Sequence, residues 1–584
     1  MLRNAVLLAA ALLAQTCAAT GPFLKQLNGT TWVIGNDHWN VTQNEKYGTK
    51  LYRNGKDLVG NAVGHYVSYN GAANDLAWLN ASIVHRTADY IDVQFTAAEG
   101  EFHWVIYADL VGAYQYFVNR ALPVLGEFRT LWRLDNASFP NARTTERDGA
   151  LPAYADYLDA TKVQDETWLK ADGTYLTKYD WSAFVREQDY YGVYGDEFGS
   201  WYINPGKDYY NGNHLKQELM LHRESLTGDA VQLNMIHGTH FQASSSDAFP
   251  DGKLWGPWLW YLNDGSQTDA AARAADEFAA WPYAWFEGTG AAAYHDRAPK
   301  VSGRVVLADG RPAAGAAVFL GDNHPNKTAL DMGTGQYYTA YADEDGAFVF
   351  EHVRAGTYGL QAWSNGGALA DVSTALLRND VVVSSVAGAS RRRRRAAAGD
   401  EGETLDLGEF EWPLHEGRER VFRVGAFDRK SLGFEYGGAP YQHALVSKCP
   451  ADLTFKVGES VDEDWCFGQS ALGAWDIEFE LDEVPAGNRS AILTVSLAGY
   501  SQGTSANILV NGAENKVGNL TSGAILSDQC LYRSATTAGE WHLFEFPFNG
   551  ASVLKEGLNT VTFNVTASTQ WRGFLWDSII LEWA

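Results

Sequence analysis

Short segments in which apolar and polar residues alternate recur along almost the whole chain, and they limit what it can fold into. The clearest early ones are residues 31–34, 90–96, 102–107, 114–118 and 128–134. A two-residue period gives each strand one apolar face, and Asn, Gly and Asp turns separate the segments as in antiparallel sandwiches. With 584 residues, 46% of them hydrophobic, the chain is too long for one core. We therefore predict an all-β protein with several sandwich domains.

Breaks in this pattern divide the chain into five regions. Residues 1–20 resemble a signal peptide, and residues 21–297 carry the longest series of strands, predicted to form a large antiparallel β-sandwich. Residues 298–382 have tight glycine turns and predict a small fibronectin type III-like sandwich, whereas 383–411 is an Arg-rich linker or loop. Residues 412–584 consist of short apolar strands, typical of a jelly-roll sandwich like those of carbohydrate-binding modules.

The first region has the features of a secretory leader. Arg3 is followed by an apolar run at 5–13 and by the small residues of Cys17-Ala18-Ala19, which predicts cleavage near Ala19 or Thr20. No later apolar run approaches the ~20 residues of a membrane span. We therefore predict a secreted, extracellular protein.

Glycosylation motifs agree with this prediction. N-x-[ST] motifs occur eight times, at Asn28, Asn40, Asn80, Asn136, Asn326, Asn488, Asn519 and Asn564. The count favours a glycosylated secretory product.

Two segments of the first domain are predicted to depart from the strand pattern. Residues 135–153 are polar and predict a long loop beside a surface groove of this domain. Residues 268–286 predict one helix, with Thr268 as the N-cap, Asp269 in the first turn and Pro282 as the stop.

Three cysteines lie outside the predicted leader, all in the last third of the chain. Cys449, Cys466 and Cys530 allow one disulfide and one free thiol, and the sequence leaves the pairing open. Their spacing matches no zinc motif. Thiol chemistry is excluded from the first domain because residues 21–297 contain no cysteine.

The linker contains five consecutive arginines, Arg391 to Arg395. Like charges in such a run repel one another and cannot be buried, so we predict a disordered segment. A processing site for a protease specific for basic residues and an electrostatic tether to an acidic polysaccharide are two further interpretations.

Net charge excludes some partners. The formal net charge is −26, which argues against nucleic acids and anionic membranes. An acidic polysaccharide stays possible, since a groove needs only a local positive patch. We predict no cofactor and no catalytic metal, and we predict a monomer.

The stretch from 174 to 265 concentrates the residues with chemical potential. It is predicted to contain aromatic strands whose polar faces suit a carbohydrate groove, with Tyr179 and Trp201 as candidate substrate-binding residues. Lys178 is predicted in the middle of a strand, and His237 and His240 flank Gly238-Thr239. Each alone is weak evidence, because a lysine on a strand is usually solvated and a histidine usually structural.

These residues fit the requirements of β-elimination from a uronic acid. The substrate carboxylate must be neutralised, a base must take the C5 proton, and an acid must protonate the departing O4. Arg129 and Arg133 are four residues apart on a predicted strand and so share a face, where their guanidinium forks can bind a carboxylate. Lys178 can be the base if its pKa is lowered, and a histidine can be the acid.

Several segments, in order, resemble the rhamnogalacturonan lyases of polysaccharide lyase family 4. They are T-K-Y-D-W (177–181), W-Y-I-N-P (201–205), L-K-Q (215–217), G-T-H-F (238–241), G-P-W-L-W-Y-L-N (256–263) and V-G-A-F-D-R-K (424–430). The resemblance implies a catalytic supersandwich of the galactose-mutarotase type, then a fibronectin-like domain and a carbohydrate-binding-like jelly roll. It also implies cleavage of the rhamnose–galacturonic acid bond of rhamnogalacturonan I, leaving an unsaturated galacturonate.

The resemblance also implies roles for individual residues. The family's catalytic lysine corresponds to Lys178, and its catalytic histidine to His240 through the pattern of Gly238 to Phe241, with His237 as a rival. Its substrate-binding arginines correspond to Arg129 and Arg133.

Two other functional classes stay open. The chain can be a catalytically inactive pectin-binding protein, or a lyase or hydrolase acting on another uronic acid polysaccharide. A hydrolase would need paired carboxylates, for which Asp180, Asp196 and Glu197 are the nearest candidates.

Overall fold

The computed structural model describes residues 21–71, 74–238, 240–241, 248–328, 330, 332–385, 404–485 and 487–584. The predicted signal peptide and the arginines 391–395 lie outside the described residues. Among the helices that are described, none has both the length and the apolar character needed to cross a membrane.

The first domain is built almost entirely from antiparallel strands. In chain order they are β1 (Phe23–Asn28), β2 (Thr31–Gly35), β3 (Trp39–Gln43), β4 (Gly48–Arg53), β5 (Lys56–Asp57), β6 (Gly64–Tyr69), β7 (Asn80–Arg86), β8 (Tyr90–Thr96), β9 (Gly100–Tyr107), β10 (Gly112–Asn119), β11 (Glu127–Leu134), β12 (Asn141–Arg143), β13 (Asp148–Ala150), β14 (Thr161–Gln164), β15 (Thr167–Leu169), β16 (Tyr175–Thr177), β17 (Ser182–Phe184), β18 (Tyr190–Tyr194), β19 (Gly199–Ile203), β20 (Gln217–Leu219), β21 (Leu221–Arg223), β22 (Ala230–Gly238) and β23 (Leu254–Asn263).

Most of these strands form two nine-stranded sheets. The first has the order β1-β2-β3-β4-β6-β11-β22-β21, with β5 paired to β4, and the second has the order β13-β12-β18-β19-β23-β10-β9-β8-β7. Between them lies an aromatic core that includes Trp39, Trp104, Trp132 and Trp260. The prediction that the five early segments form strands is confirmed. Alternation along these strands directs apolar side chains into the interior.

The helices of the first domain are α1 (Tyr154–Leu158), α2 (Gln267–Ala280) and α3 (Ala291–His295). Helices α2 and α3 pack on the outer face of the second sheet, on a cluster with Trp201 and Tyr283, whereas the hydroxyl of Tyr154 in α1 donates to the carbonyl of Leu226 between β21 and β22. The predicted N-cap Thr268 is wrong. Ser266 caps α2, since its hydroxyl accepts a hydrogen bond from the amide of Asp269 at 3.1 Å, and the helix ends before Pro282.

The polar segment 135–153 is not one long loop. It contains β12 and β13, a short hairpin that adds to the edge of the second sheet by pairing with β18. Arg143 secures this edge through an ion pair of 2.5 Å with Asp189. The strands were missed because they are only three residues long and rich in polar residues.

The second domain is a sandwich of a three-stranded and a four-stranded sheet. Its strands are β24 (Arg297–Leu307), β25 (Ala317–Asp322), β26 (Tyr338–Tyr341), β27 (Ala347–Arg354), β28 (Gly356–Trp363), β29 (Ala375–Val383) and β30 (Thr404–Trp412), in the orders β27-β24-β30 and β26-β25-β28-β29. The predicted linker 383–411 is therefore too long. Strand β30 lies in it and pairs with β24 in parallel, because Leu405, Leu407 and Phe410 alternate toward the core.

The third domain is the predicted jelly-roll-like sandwich of two five-stranded sheets. Its strands are β31 (Glu419–Val424), β32 (Leu453–Lys456), β33 (Gly468–Gln469), β34 (Gly473–Leu481), β35 (Ser490–Tyr500), β36 (Ser505–Val510), β37 (Lys516–Leu520), β38 (His542–Asn549), β39 (Gly557–Ala567) and β40 (Phe574–Trp583), with a short helix α4 (Gly550–Val553). The sheet orders are β31-β40-β35-β38, with β33 on β40, and β32-β34-β39-β36-β37. Cys449 and Cys466 form the disulfide, and Cys530 is a buried free thiol.

Candidate active site

Strand β11 places two arginines on the outer face of the first sheet. Phe128 and Trp132 point into the core between the sheets, whereas Leu131 belongs to a separate cluster on the opposite face. Arg129 and Arg133 flank Leu131 at the same two-residue period, so they share this outer face, as predicted. The candidate site therefore lies outside the sandwich core.

Arg129 and His240 are in direct contact. The Nη1 of Arg129 lies 2.9 Å from Nε2 of His240, and its Nε donates to the hydroxyl of Ser68 at 3.1 Å. On the other side of the ring, Nδ1 of His240 lies 2.7 Å from Glu127 and 3.3 Å from Glu218. The histidine is thus held between a guanidinium and two carboxylates, with 15% of its side chain exposed.

The backbone turn after β22 brings His240 to this position. Gly238 has a φ of +73°, and a Cβ there would collide with the carbonyl of Gly126, so glycine is required. The amide of His240 donates to Glu218 at 3.0 Å, and its carbonyl accepts a hydrogen bond from Arg533 of the third domain.

The charges around His240 act in opposite directions. Burial lowers its pKa, but the hydrogen bonds and charges of Glu127 and Glu218 outweigh burial and raise it above the ordinary value. Burial likewise opposes the ionisation of Glu127, and the contacts with His240 and Arg129 nevertheless bring the pKa of Glu127 to about 2. Arg129 can donate only to an unprotonated Nε2, so while this contact lasts the ring is neutral with its proton on Nδ1.

Lys178 lies in a tight turn and not in the middle of a strand. Strand β16 ends at Thr177, whose hydroxyl accepts from the amide of Tyr179, and a 3₁₀ turn follows from Lys178 to Trp181. Burial lowers the pKa of the Lys178 amine, the carboxylates of Glu166 and Asp165 oppose this, and the charge of Arg533 lowers it further. A lysine with a lowered pKa is what a base at this position requires.

A second group of charges lies between Lys178 and Arg133. Arg133 pairs with Glu224 at 3.0 Å and with Asp229 at 3.7 Å. His222, on β21, lies 3.8 Å from Glu224; burial and the nearby cations bring its pKa to about 4 despite Glu224. Glu224 thus interacts with the positive charges of both Arg133 and Lys178.

Tyr179 lies next to Lys178 but is buried. Its hydroxyl donates to Asp165 at 2.6 Å, its ring packs against Phe241, and the guanidinium of Arg533 lies 4.9 Å from its ring centroid. Tyr179 therefore joins the first and third domains beneath the site.

The structure does not bring His237 and Trp201 to this cluster. His237 is fully buried beside Phe249, its ring nitrogens have no hydrogen-bond partner among the described residues, and burial lowers its pKa far below the ordinary value. Trp201 is also fully buried, beneath the helices on the outer face of the second sheet, where its indole donates to Asn263.

The three carboxylates of the hydrolase alternative lie in two different settings. Asp180 is in the turn with Lys178, where burial raises its pKa to about 7 although Arg147 opposes this. Asp196 and Glu197 are exposed in the turn between β18 and β19. Within the described residues, no group of histidine, cysteine or acidic side chains is arranged to hold a metal ion.

Glu127, Glu218 and Arg533 were missed by the sequence analysis. Glu127 could have been found, since it precedes Arg129 by two residues and so shares its strand face. Glu218 and Arg533 carry no such signal, because their positions depend on how β20 and the third domain pack.

Comparisons with known proteins agree with this architecture. Residues 420–581 match a family model described as CBM-like, polysaccharide lyase family 4, domain III, and residues 308–391 match the model of domain II of the same family. A rhamnogalacturonate lyase of Dickeya dadantii is 30% identical over 515 residues, covering 85% of this chain and 82% of that protein.

Fungal proteins are more distant relatives. A probable rhamnogalacturonate lyase B of Aspergillus niger is 24% identical, covering 76% of this chain and 69% of that protein. Rhamnogalacturonate lyase B of Emericella nidulans is 22% identical and covers 92% of each chain.

Proposed function

The chain belongs to polysaccharide lyase family 4, and on this premise we propose that it is an endolyase that cleaves rhamnogalacturonan I by β-elimination. The bond broken is the α-1,4 bond between rhamnose and galacturonic acid. The product carries an unsaturated galacturonate at its new non-reducing end.

The arginines of β11 bind the galacturonate carboxylate. Removing the C5 proton makes an enolate-like intermediate, which is too unstable unless the carboxylate charge is neutralised. Arg129 and Arg133 lie on one strand face, and Arg133 is already oriented by Glu224 and Asp229. Two guanidinium groups on one strand face supply that neutralisation.

Lys178 takes the C5 proton. Its amine must be neutral to act as a base, and burial together with Arg533 favours the neutral form. The position of Lys178 in a turn, with a carboxylate-rich wall on one side, lets the resulting ammonium be stabilised after proton transfer.

His240 protonates the departing O4. In the free protein Arg129 occupies its Nε2, so this nitrogen becomes available when Arg129 turns toward the substrate carboxylate. Glu127 and Glu218 then stabilise the protonated ring, as the raised pKa of His240 indicates. Binding of the acidic sugar thereby allows His240 to become protonated and to act as the acid.

The observation that carries this proposal is the contact of the third-domain Arg533 with both halves of the site. The same guanidinium lies against Tyr179, the neighbour of Lys178, and binds the carbonyl of His240. Arg533 therefore lies near both the lysine suited to be a base and the histidine suited to be an acid, and Arg129 contacts the same histidine. An inactive binding protein has no need of this pair.

The test is ultraviolet absorbance during incubation with rhamnogalacturonan I, with polygalacturonan as the control substrate. Absorbance that rises only with rhamnogalacturonan supports the proposal. A rise with both substrates would keep the lyase and change its substrate. Shortened chains without absorbance would indicate hydrolysis, and no change at all would favour a binding protein.

We also propose that the protein is secreted and glycosylated. The asparagines of six of the eight motifs are exposed, namely Asn28, Asn80, Asn136, Asn326, Asn488 and Asn519. A drop in mass after treatment with an endoglycosidase is the expected result; an unchanged mass for protein from a eukaryotic culture medium would contradict it.

A further inference from the structure

Residues 529–535, a segment of the third domain, form one wall of the candidate active site. The amide of Gln529 donates to the carbonyl of Phe241 at 2.6 Å, and the thiol of Cys530 lies 3.5 Å from the same oxygen. Ala535 packs in the cluster that contains Tyr179 and Phe241. The segment is therefore fixed against the chain that carries His240.

Arg533 is the charged side chain that this segment brings to the site. Its Nη1 donates to the carbonyl of His240, and its Nη2 lies 3.3 Å from Asp165. Its guanidinium carbon lies 4.9 Å from the ring centroid of Tyr179. Only 18% of the side chain is exposed, so its orientation is set by these three contacts.

We propose that Arg533 is a positioning residue through which the third domain sets up the reaction, anchoring the backbone of His240 and placing a fixed positive charge toward Lys178. This inference rests on the proposed function, because it assigns Lys178 and His240 their roles as base and acid. It makes the third domain part of the catalytic unit.

The charge of Arg533 matters because of what else surrounds Lys178. The described titratable groups that face the amine are Asp165, Glu166, His222, Glu224, Arg533 and Tyr179, whose ring centroid lies 5.3 Å from Nζ. The three carboxylates favour the ammonium form, which cannot act as a base, and His222 is buried and neutral. Arg533 is therefore the permanent cation that opposes them.

Asp165 shows how this balance is arranged. Burial raises its pKa, but the hydrogen bond from Tyr179 and the charges of Lys178 and Arg533 outweigh burial and lower it. Its oxygen Oδ2 is engaged by both Tyr179 and Arg533. Arg533 thus also reduces the pull of the Asp165 carboxylate on Lys178.

The experiment compares kcat/KM across pH for the full chain and three variants. Arg533→Met removes the charge and keeps much of the stem, Arg533→Lys keeps the charge and loses the fork, and Arg572→Met is the matched control. Arg572 is also in the third domain and lies over the ring of Tyr532. Arg572 is not one of the described charged groups that act on Lys178.

Arg533→Met should lose about tenfold in kcat/KM at acid and neutral pH, because removing a nearby positive charge raises the pKa of Lys178 and leaves less of it as free amine. The deficit should shrink as the pH rises through the pKa of Lys178. Arg533→Lys should show a loss that is the same at all pH values, and Arg572→Met should match the wild type.

A deficit of Arg533→Met that is the same at every pH would overturn the electrostatic role, as would the same pH-dependent deficit in Arg533→Lys. The Lys variant keeps the test informative if Arg533→Met unfolds. Wild-type protein that gives no ultraviolet-absorbing product would instead refute the proposed function, so the two failures are distinguishable.

Discussion

At the scale of single residues, His240 is tuned by neighbours of both signs. Arg129 at Nε2 favours the neutral ring, whereas Glu127 and Glu218 at Nδ1 favour the protonated one. Whichever neighbour is displaced by substrate decides the protonation state. The residue is therefore suited to gain a proton when an acidic sugar binds.

The carboxylate of Glu127 should control the alkaline limit of activity. Glu127 raises the pKa of His240, so Glu127→Gln lowers it and less of the acid form survives as the pH rises. We expect kcat/KM to fall relative to the wild type at neutral and alkaline pH, with the ratio approaching one at acid pH.

The matched control for Glu127 is Glu101→Gln, which removes a carboxylate of similar exposure that pairs with Arg120 on the second sheet. Its pH profile should equal that of the wild type. A Glu127→Gln profile that is merely scaled down, with no dependence on pH, would contradict the assigned acid.

Lys178 and His240 should each be needed for turnover. Lys178→Ala and His240→Ala should reduce kcat by roughly 10²–10⁴-fold, the range for removal of a general base or acid, as followed by ultraviolet absorbance. Lys170→Ala is the control, since Lys170 pairs with Asp172 at the end of the neighbouring hairpin and should stay active. Wild-type-like activity of either variant would reject its assignment.

At the scale of elements, alternation and turn geometry decide where the site residues point. Strand β11 presents Arg129 and Arg133 on one face because the strand period is two. The chain carrying Lys178 does not continue as a strand, because the hydroxyl of Thr177 accepts from the amide of Tyr179 and closes a 3₁₀ turn. The same polar and aromatic residues fit either conformation locally.

The cap of α2 tests this local reasoning. Ser266→Ala removes the hydroxyl that accepts from Asp269 and should lower the free energy of unfolding by about 1 kcal/mol. Thr268→Ala changes an exposed helical position and should be close to neutral. Denaturant titration of both variants measures the difference, and an equal effect would argue against Ser266 as the cap.

At the scale of the whole molecule, the domains are joined by buried polar contacts. Asp208 of the first domain accepts from Arg297 at 3.0 Å and from Arg354 at 2.9 Å, both on strands of the second domain. Burial raises the pKa of Asp208, but Arg354 and Arg297 outweigh burial and lower it. The second domain is thus held in a fixed position against the first.

Removing this carboxylate should be costly. Asp208→Asn leaves two buried guanidinium groups without their counter-charge and should lower the free energy of unfolding by about 3–5 kcal/mol. Glu409→Gln, which breaks an exposed pair with Arg304, is the control and should change stability by less than about 1 kcal/mol. Thermal unfolding of both variants provides the comparison.

The contact of Asp208 with Arg297 and Arg354 also predicts that stability depends on pH. Because the folded-state pKa of Asp208 is lowered, its contribution is present above the ordinary aspartate pKa of about 4 and is lost as the pH falls through the folded value. Asp208→Asn should abolish this acid-dependent part, so the stability gap to the wild type should narrow at low pH. A gap that widens there would contradict the argument.

The sequence by itself determined the all-β class, the order of three sandwiches and the shared face of the two arginines. These follow from a two-residue period, which is a local property of the chain. It also placed Lys178 and His240 among the candidates, and the resemblance implied their separate roles, since a lysine or histidine has many local roles.

Only the tertiary structure decided which of these residues meet. His237 and His240 are three residues apart, yet the positive φ of Gly238 leaves one in the core and sends the other to Arg129. Arg533 reaches His240 across 293 residues of sequence, Cys449 and not Cys530 pairs with Cys466, and β30 returns to β24. Such contacts depend on how distant surfaces pack, and no local pattern encodes that packing.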